Sequence, residues 1–369
     1  MGQKKRIGLF IPSLVGGGAE RVMLNLACGL ADMGHAVDMV LVRAEGPYLA
    51  QIPSNVRVVN LKTRKTGASL PALARYLKQE KPHSMLSALN EANVALLWAR
   101  RVAGTPTRVV ISIHNTLSQE FRSGGLMQRK VTPWCITRFG PWADGIVAVS
   151  NGVADDFAQV TGLPRKRIEV IYNPVISEEL LLKSRQPVNH PWLIPGQPPV
   201  ILSVGRLNPQ KNYGHLLSAF AQVRDRQNAR LLILGDGEDR KKLEAQVLAL
   251  GLRDDVSLPG FTDNPFAYMS HARLFALSSS WEGLPTVLIE ALACGCPIVS
   301  TDCQSGPAEI LAGGKWGRLT PVGDVDAMAL ALEASLSEPR QTPPPESWEP
   351  YQIQVAAAAY AKILLCGAE

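Results

Sequence analysis

Material for disulfide chemistry is scarce in this sequence. The 369 residues include six cysteines, at positions 28, 135, 294, 296, 303 and 366, with no paired spacing suited to a framework of bridges. Cys294 and Cys296 flank a single residue inside an apolar run, and no second Cys/His pair completes a zinc site. They read as small buried residues in a reducing compartment. Long apolar runs are also missing; none approaches the ~18 residues of a membrane span. Lys4-Lys5-Arg6 followed by Ile7–Ala19 imitates the start of a signal peptide, but Pro12 and Gly16-Gly17-Gly18 interrupt it and no small-x-small cleavage site follows. A first β-strand explains the segment better. The glycine loop is not G-x-G-x-x-G, and no acidic residue ends the next strand in the required place, so the dinucleotide fingerprint fails and a nicotinamide dehydrogenase is excluded. Three glycines still let a ligand approach the backbone closely.

What is present is a globular balance, 46% hydrophobic and 19% charged, with 31 Gly and 27 Pro near average usage. Collagen-like and linker-like chains are therefore out. At roughly 150 residues per domain the length suggests two domains. The net charge of +6 is uneven. Residues 1–180 hold 22 Lys+Arg against 13 Asp+Glu, and residues 181–369 hold 16 against 19. Either this is chance plus solubility, or one domain meets an anion: nucleic acid, a membrane surface or a phosphorylated substrate.

Strands alternate with helical patterns, as in βαβ units with a parallel sheet. Ile7–Ile11 is a strand, Gly16–Gly18 a loop, Val22–Leu30 a helix ended by Gly34, and Val37–Val42 the next strand. The same order restarts at Val200–Val204, followed by the loop Gly205–Lys211, a helix through Leu216, Leu217 and Phe220, and a strand Leu231–Leu234. Two doubly wound units in tandem follow. We expect an N-terminal Rossmann-like domain over 1–180, a Pro-rich linker over 181–199, a second Rossmann-like domain over 200–345, and a C-terminal segment 346–369 whose helix spans Tyr351–Leu365.

Four segments can carry chemistry. In Ser278–Ala291 a strand, Leu274–Leu277, runs into a polar turn and a helix with Pro285 as first residue. The terminus of such a helix suits a diphosphate. Glu282 precedes it, and Glu290 lies about 7 Å along its axis. Taken singly, Glu282 reads as a helix cap and Glu290 as a solvated helix residue. As a pair beside an anion site they make sense as acceptors for sugar hydroxyls. The second segment, Gly205–Asn212, places Arg206 and Lys211 at the carboxyl edge of a strand, where two cations can neutralise a diphosphate. The third is Gly16-Gly17-Gly18. The fourth is the strand Arg108–Ile113 ending in His114; such a histidine can face a cleft, although a lone one is more often packed or exposed.

Together these residues resemble the GT-B glycosyltransferases, specifically the retaining family usually numbered four. The resemblance spans nearly the whole chain and is strongest over Val200–Asp324. It rests on Glu282-x7-Glu290 within W-E-G-L-P-T-V-L-I-E-A-L-A-C-G-C-P-I-V, on G-R-L-N-P-Q-K-N, on G-D-G-E, on S-G-P-A-E-I-L at 305–311 and on P-V-G-D at 321–324. It implies two Rossmann-like α/β domains facing across a cleft, with the C-terminal helix crossing back to the first. It implies that Arg206 and Lys211 hold the donor diphosphate, Glu290 the ribose hydroxyls and Glu282 the transferred sugar. The Gly283 and Leu284 amides, with Pro285 and Thr286 at the helix start, would lie near sugar and phosphate. The Gly16, Gly17 and Gly18 loop would close over the phosphates, and His114 would face the reacting sugar. Asp236, Gly237, Phe261 and Thr262 would contact base and ribose, largely through backbone.

The implied reaction is transfer of a hexose or N-acetylhexosamine from a nucleotide-sugar, UDP-linked by resemblance, to a lipid-linked or cell-surface glycan. Asp324-Val325-Asp326 is formally D-x-D, but its place between Pro-Val-Gly and an apolar helix makes Asp324 a cap, so no metal or other cofactor is expected. No motif names the acceptor. Phe121–Trp142 interleaves Arg122, Arg129, Lys130 and Arg138 with Leu126, Met127, Trp134, Phe139 and Trp142, and Lys62, Arg64 and Lys65 form another basic cluster. This suits either an ordinary packed helix or an anionic membrane surface, hence a cytoplasmic protein held at the inner face of the membrane. No nucleic-acid module is visible. The rivals are a nucleotide-sugar 2-epimerase of the same fold and a two-lobed small-molecule binding protein.

Overall fold

The structure, a computed structural model, describes residues 5–119 and 131–366. The chain divides into two units, Met1–Val175 with Tyr351–Glu369, and Ile176–Pro350. The first holds strands β1 (Arg6–Ile11), β2 (Ala36–Leu41), β3 (Val56–Asn60), β4 (Ser84–Ala88), β5 (Arg108–Ile113), β6 (Gly145–Ala148) and β7 (Ile168–Val170). They form one sheet in the order 3-2-1-4-5-6-7, and every pair is parallel. The second unit holds β8 (Val200–Val204), β9 (Arg230–Leu234), β10 (Val256–Gly260), β11 (Leu274–Leu277), β12 (Ile298–Thr301) and β13 (Arg318–Thr320). Their order is 10-9-8-11-12-13, again all parallel.

Central strands of such sheets are covered on both faces, so they are apolar throughout rather than alternating. Ile7, Leu9 and Ile11 of β1 and Ile201 and Leu202 of β8 are fully buried. Helix ends are stopped by local chemistry. Ser150, Ser177, Asn264 and Asp324 each accept a hydrogen bond from the backbone N–H three residues on, as N-caps do. The expected cap at Asp324 is therefore present, with Ala327 N at 2.9 Å.

The C-terminal helix, Ile353–Leu365, packs on helix Gly18–Asp32 in the first unit. A Cβ at Gly29 would lie 2.7 Å from the Ala357 Cβ, so glycine lets the two helices approach. Tyr351 itself lies in a short 3-10 turn before that helix. The segment 181–199 differs from the expected linker. Its first residues belong to helix Glu178–Ser184, and Asn264 Nδ2 donates to Lys183 O and Gln186 Oε1 while Ser270 Oγ donates to Ser184 O. These bonds tie it to the second unit, whose first residue is Ile176 rather than Val200. The prolines from 187 onward do exclude helix and strand. Among the described residues no helix is long and apolar enough to cross a membrane.

Candidate active site

In the second sheet the strand order reverses between β8 and β11. The loops leaving the carboxyl ends of those two strands border the switch point where open α/β sheets bind ligands. They are stitched to each other: Ser280 N donates to Gln210 O at 2.8 Å and Ser278 Oγ to Lys211 O at 2.8 Å. Between them lies the buried Glu282 carboxylate. Its Oε1 accepts from Lys211 Nζ at 2.6 Å and from Ser279 Oγ at 2.7 Å. Its Oε2 accepts from Gln210 Nε2 at 3.3 Å. Glu282 therefore caps nothing; helix Thr286–Ala293 has no side-chain cap. Lys211 gives this buried carboxylate an opposite charge at 2.6 Å, so the pair is neutral as a unit. Gln210 and Ser279 were not singled out in the sequence, although both stand inside the quoted runs.

Arg206, on the same loop, is exposed. No interaction with its side chain is present among the described residues, so it is a cation open to a ligand. Backbone packing holds this loop from behind. Gly235 has φ +135°, and a Cβ there would lie 2.0 Å from Gly205 O; a Cβ at Gly237 would lie 2.2 Å from Leu207 O. Asp236 is exposed and its carboxyl is held below the usual range, first by Arg240 Nε at 2.8 Å and then by the Gly237 amide. The Asp236 side chain is thus engaged by Arg240 while still largely exposed. Phe261 is 80% exposed just beyond β10, and Thr262 Oγ1 accepts from Asn264 N.

The helix begins one residue later than expected. Pro285 has ψ 98°, an extended backbone, and is the capping residue, with Thr286 first in the helix. The Gly283 carbonyl accepts from Ser305 Oγ at 2.9 Å, and a Cβ at Gly306, where φ is +94°, would lie 2.4 Å from Pro285 Cδ. Ser305 and Gly306 thus set the approach to the helix terminus; the S-G-P run was their sequence signal. Leu284 is buried and Glu290 half-buried. Burial pushes the Cys296 and Cys303 thiols up to about 12, so these nearby cysteines are inert packing residues.

In the first unit the order reverses between β1 and β4. Gly16 has φ +110°, Gly17 is the N-cap of helix Gly18–Asp32, and Gly18, exposed, has nothing within 4 Å of where a Cβ would be. His114 follows β5, next to β4 in the sheet. Its Nε2 lies 3.1 Å from Ser112 Oγ, and burial pushes its pKa down to about 4. Asn93 Nδ2 donates to Ser112 O at 3.0 Å, which fixes the end of β5. Lys62, Arg64 and Lys65 are exposed. Of the aromatic-basic stretch, Arg122, Leu126, Met127, Arg129 and Lys130 lie outside the described residues. Its remainder is an aromatic cluster: Phe139 packs against Trp98, Trp134 and Trp142 with ring centroids 4.8–5.7 Å apart. Trp134 is 62% exposed, Arg138 is exposed, and Arg101 lies over the Trp142 ring. Among the described residues no group of three His, Cys, Asp or Glu could hold a metal.

Residues 185–354 match the model described as glycosyl transferases group 1, and residues 16–179 match glycosyltransferase family 4. The chain is 32% identical over 347 residues, covering 90% of this chain and 91% of the relative, to the N-acetylgalactosamine-N,N'-diacetylbacillosaminyl-diphospho-undecaprenol 4-alpha-N-acetylgalactosaminyltransferase of Campylobacter jejuni. It is 26% identical to the lipopolysaccharide core biosynthesis glycosyltransferase LpsE of Rhizobium meliloti, over 87% of this chain and 86% of that one. The apo lipopolysaccharide outer core galactosyltransferase WaaB superposes with TM-score 0.75 at 22% identity, over 98% and 99% of the two chains. A sucrose-phosphate synthase from Thermosynechococcus elongatus superposes with TM-score 0.81 at 20% identity, over 98% of each. Two parallel-sheet units of seven and six strands with this order are the GT-B fold, and with the matches on both units the chain belongs to the group 1 glycosyltransferases and is a transferase.

Proposed function

We propose that this enzyme is a retaining transferase that moves a hexose or N-acetylhexosamine from a UDP-sugar to a lipid-linked or cell-surface glycan. The observation that carries the reading is the pairing of an open Arg206 with the neutralised Lys211–Glu282 couple at the switch point of the second sheet. As the bond from the anomeric carbon to the diphosphate breaks, charge grows on the leaving oxygen. Arg206, Lys211 and the terminus of helix Thr286–Ala293 meet that charge, so catalysis is chiefly electrostatic. The acceptor hydroxyl attacks from the same face and its proton passes to the leaving phosphate, so no protein nucleophile takes part. Glu282 accepts from the transferred sugar, Glu290 from the ribose, and the Gly283 and Leu284 amides donate to sugar and phosphate. Asp236, Gly237, Phe261 and Thr262 serve base and ribose, the Gly16–Gly18 loop phosphate and His114 the sugar.

On this reading the reaction needs no metal or other cofactor, because Arg206, the helix terminus and the Lys211 ammonium, shared between Glu282 and the phosphate, meet the charge. The Campylobacter relative's name includes a diphospho-undecaprenol, and a structure of Anabaena HepE, 23% identical with TM-score 0.73, contains UDP and glucose. The first supports the choice of a lipid-linked acceptor and the second that of the donor. The exposed Trp134 with Arg138 and the basic Lys62, Arg64 and Lys65 support peripheral binding to an anionic membrane on its cytoplasmic face.

The decisive experiment is a screen of UDP- and GDP-sugars by nucleoside-diphosphate release, with membrane extract as acceptor and EDTA present. Release of UDP that requires the extract supports the reading. It fails if neither UDP nor GDP binds better than about millimolar. Replacing Arg206 by Ala should weaken UDP binding about tenfold or more with the fold intact, the size of a lost charge-assisted bond. Equal binding to neutral and anionic vesicles would sink the membrane part.

A further inference from the structure

Ser112 joins two groups that lie far apart in sequence. Its hydroxyl lies 3.1 Å from His114 Nε2 and 3.2 Å from the Tyr360 hydroxyl on the C-terminal helix, 248 residues away. Ser112 and Tyr360 are each 1% exposed, so neither hydroxyl has water to turn to. A buried O–H must find an acceptor. Tyr360 has one hydrogen to place, and among the described residues its hydroxyl meets only Ser112 Oγ. Ser112 has one hydrogen and can accept two.

Two orders of donation are possible along this chain. If His114 Nε2 carried the proton and donated to Ser112, then one buried hydrogen would be left without an acceptor among the described residues: that of Tyr360 if Ser112 donated to it, or that of Ser112 if it accepted from both. If Tyr360 donates to Ser112 and Ser112 donates to Nε2, every buried hydrogen is used. The second order fixes the histidine, because a ring nitrogen that accepts carries no proton and the other must carry it.

We propose that Tyr360 and Ser112 are positioning residues that hold His114 as the neutral tautomer with its proton on Nδ1. A ligand at His114 then meets an N–H donor and no acceptor. This rests on the proposed role of His114 as a sugar contact, and what it adds is the protonation state in which Tyr360 and Ser112 hold the ring. The lowered pKa of His114 agrees, since the ring stays neutral at physiological pH. The C-terminal helix thereby gains a role in the site of the first unit beyond packing.

The test reads the tautomer directly. The full-length protein, labelled with isotopic nitrogen in its six histidines, is studied by two-bond proton–nitrogen correlation at neutral pH, and His114 is assigned by its absence in His114→Gln. In the unsubstituted protein Nδ1 should be the protonated nitrogen. Tyr360→Phe keeps the ring and removes only the donor, and should move the ratio toward Nε2–H by about tenfold. Ser112→Ala removes the acceptor of that donor and should do the same; being a small change within β5 it covers the case in which Tyr360→Phe does not fold. A proton on Nε2 in the unsubstituted protein, or a ratio unmoved in a folded variant, overturns the proposal. No substrate enters this measurement, so it stands if the transferase reading fails. If the tautomer is as stated but His114→Gln transfers sugar at the normal rate, the chain exists and the placement of His114 at the sugar is wrong. Where both hold, Tyr360→Phe lowers kcat and leaves affinity for UDP alone unchanged.

Discussion

Breaking the Lys211–Glu282 pair should destabilise the second unit more than almost any other single change at the site. The two charged atoms are 2.6 Å apart, and the side chains are 15% and 8% exposed. At an effective dielectric near 20 their attraction is about 6 kcal/mol, offset by several kcal/mol of desolvation for each ion. Lys211→Met keeps the volume and removes the charge, leaving a buried carboxylate with, among the described residues, only Ser279 and Gln210 as donors. The expected cost is about 3 kcal/mol, at the low end of the roughly 3–5 found for breaking buried pairs, because those two donors remain. Glu282→Gln keeps shape and accepting capacity but strands the ammonium, and should cost about as much. The double variant should cost less than the sum of the singles by about 2 kcal/mol, the signature of a direct coupling. A chain of two units need not unfold in one step, so the measurement is hydrogen exchange of the β8 and β11 amides, which reads this unit by itself. Singles within about 0.5 kcal/mol of the unsubstituted protein, or strictly additive losses, would show that solvent screens the pair and that the reasoning is wrong.

Gly235→Ala would place a Cβ 2.0 Å from Gly205 O at φ +135°; it should destabilise the second unit by about 3 kcal/mol and abolish nucleotide binding, seen by calorimetry, since the loop carrying Arg206 must move. His114 has a folded pKa near 4 and an unfolded value of 6.5; the unfolded chain binds more protons between these values, so its contribution is full above 6.5 and is lost as pH falls toward 4. His114→Gln should flatten that part of the stability curve of the first unit, and an unchanged curve would contradict a half-buried ring held neutral. Asp324→Ala should cost about 1 kcal/mol as a lost cap while transfer in EDTA stays near normal; activity that falls and returns with added divalent metal would instead make it a metal ligand.

How much of this could be read from the residues depends on the range of the interaction. The apolar runs Ile7–Ile11 and Val200–Val204, the glycine turns after them and the helical periods between fix two doubly wound units, because strand and helix formation answers to neighbours a few positions away. The restart of that pattern shows that there are two units. The place of Arg206 and Lys211 on the loop after β8 was legible because a strand's carboxyl edge is a local feature. The Asp324 cap was legible for the same reason.

Only the tertiary structure decides which distant groups meet. Nothing local to Glu282 says that Lys211, 71 residues earlier, neutralises it, and a carboxylate before a helix reads equally as a cap until its partners are known. Nothing local to Ser112 announces Tyr360. The prolines from 187 onward marked a break in regular structure correctly, but whether the break lies between units or inside one was settled by hydrogen bonds from Asn264 and Ser270. Sequence sets what each segment can form. Packing sets which polar groups are buried together, and burial is what gives a charge pair or a hydroxyl chain its effect.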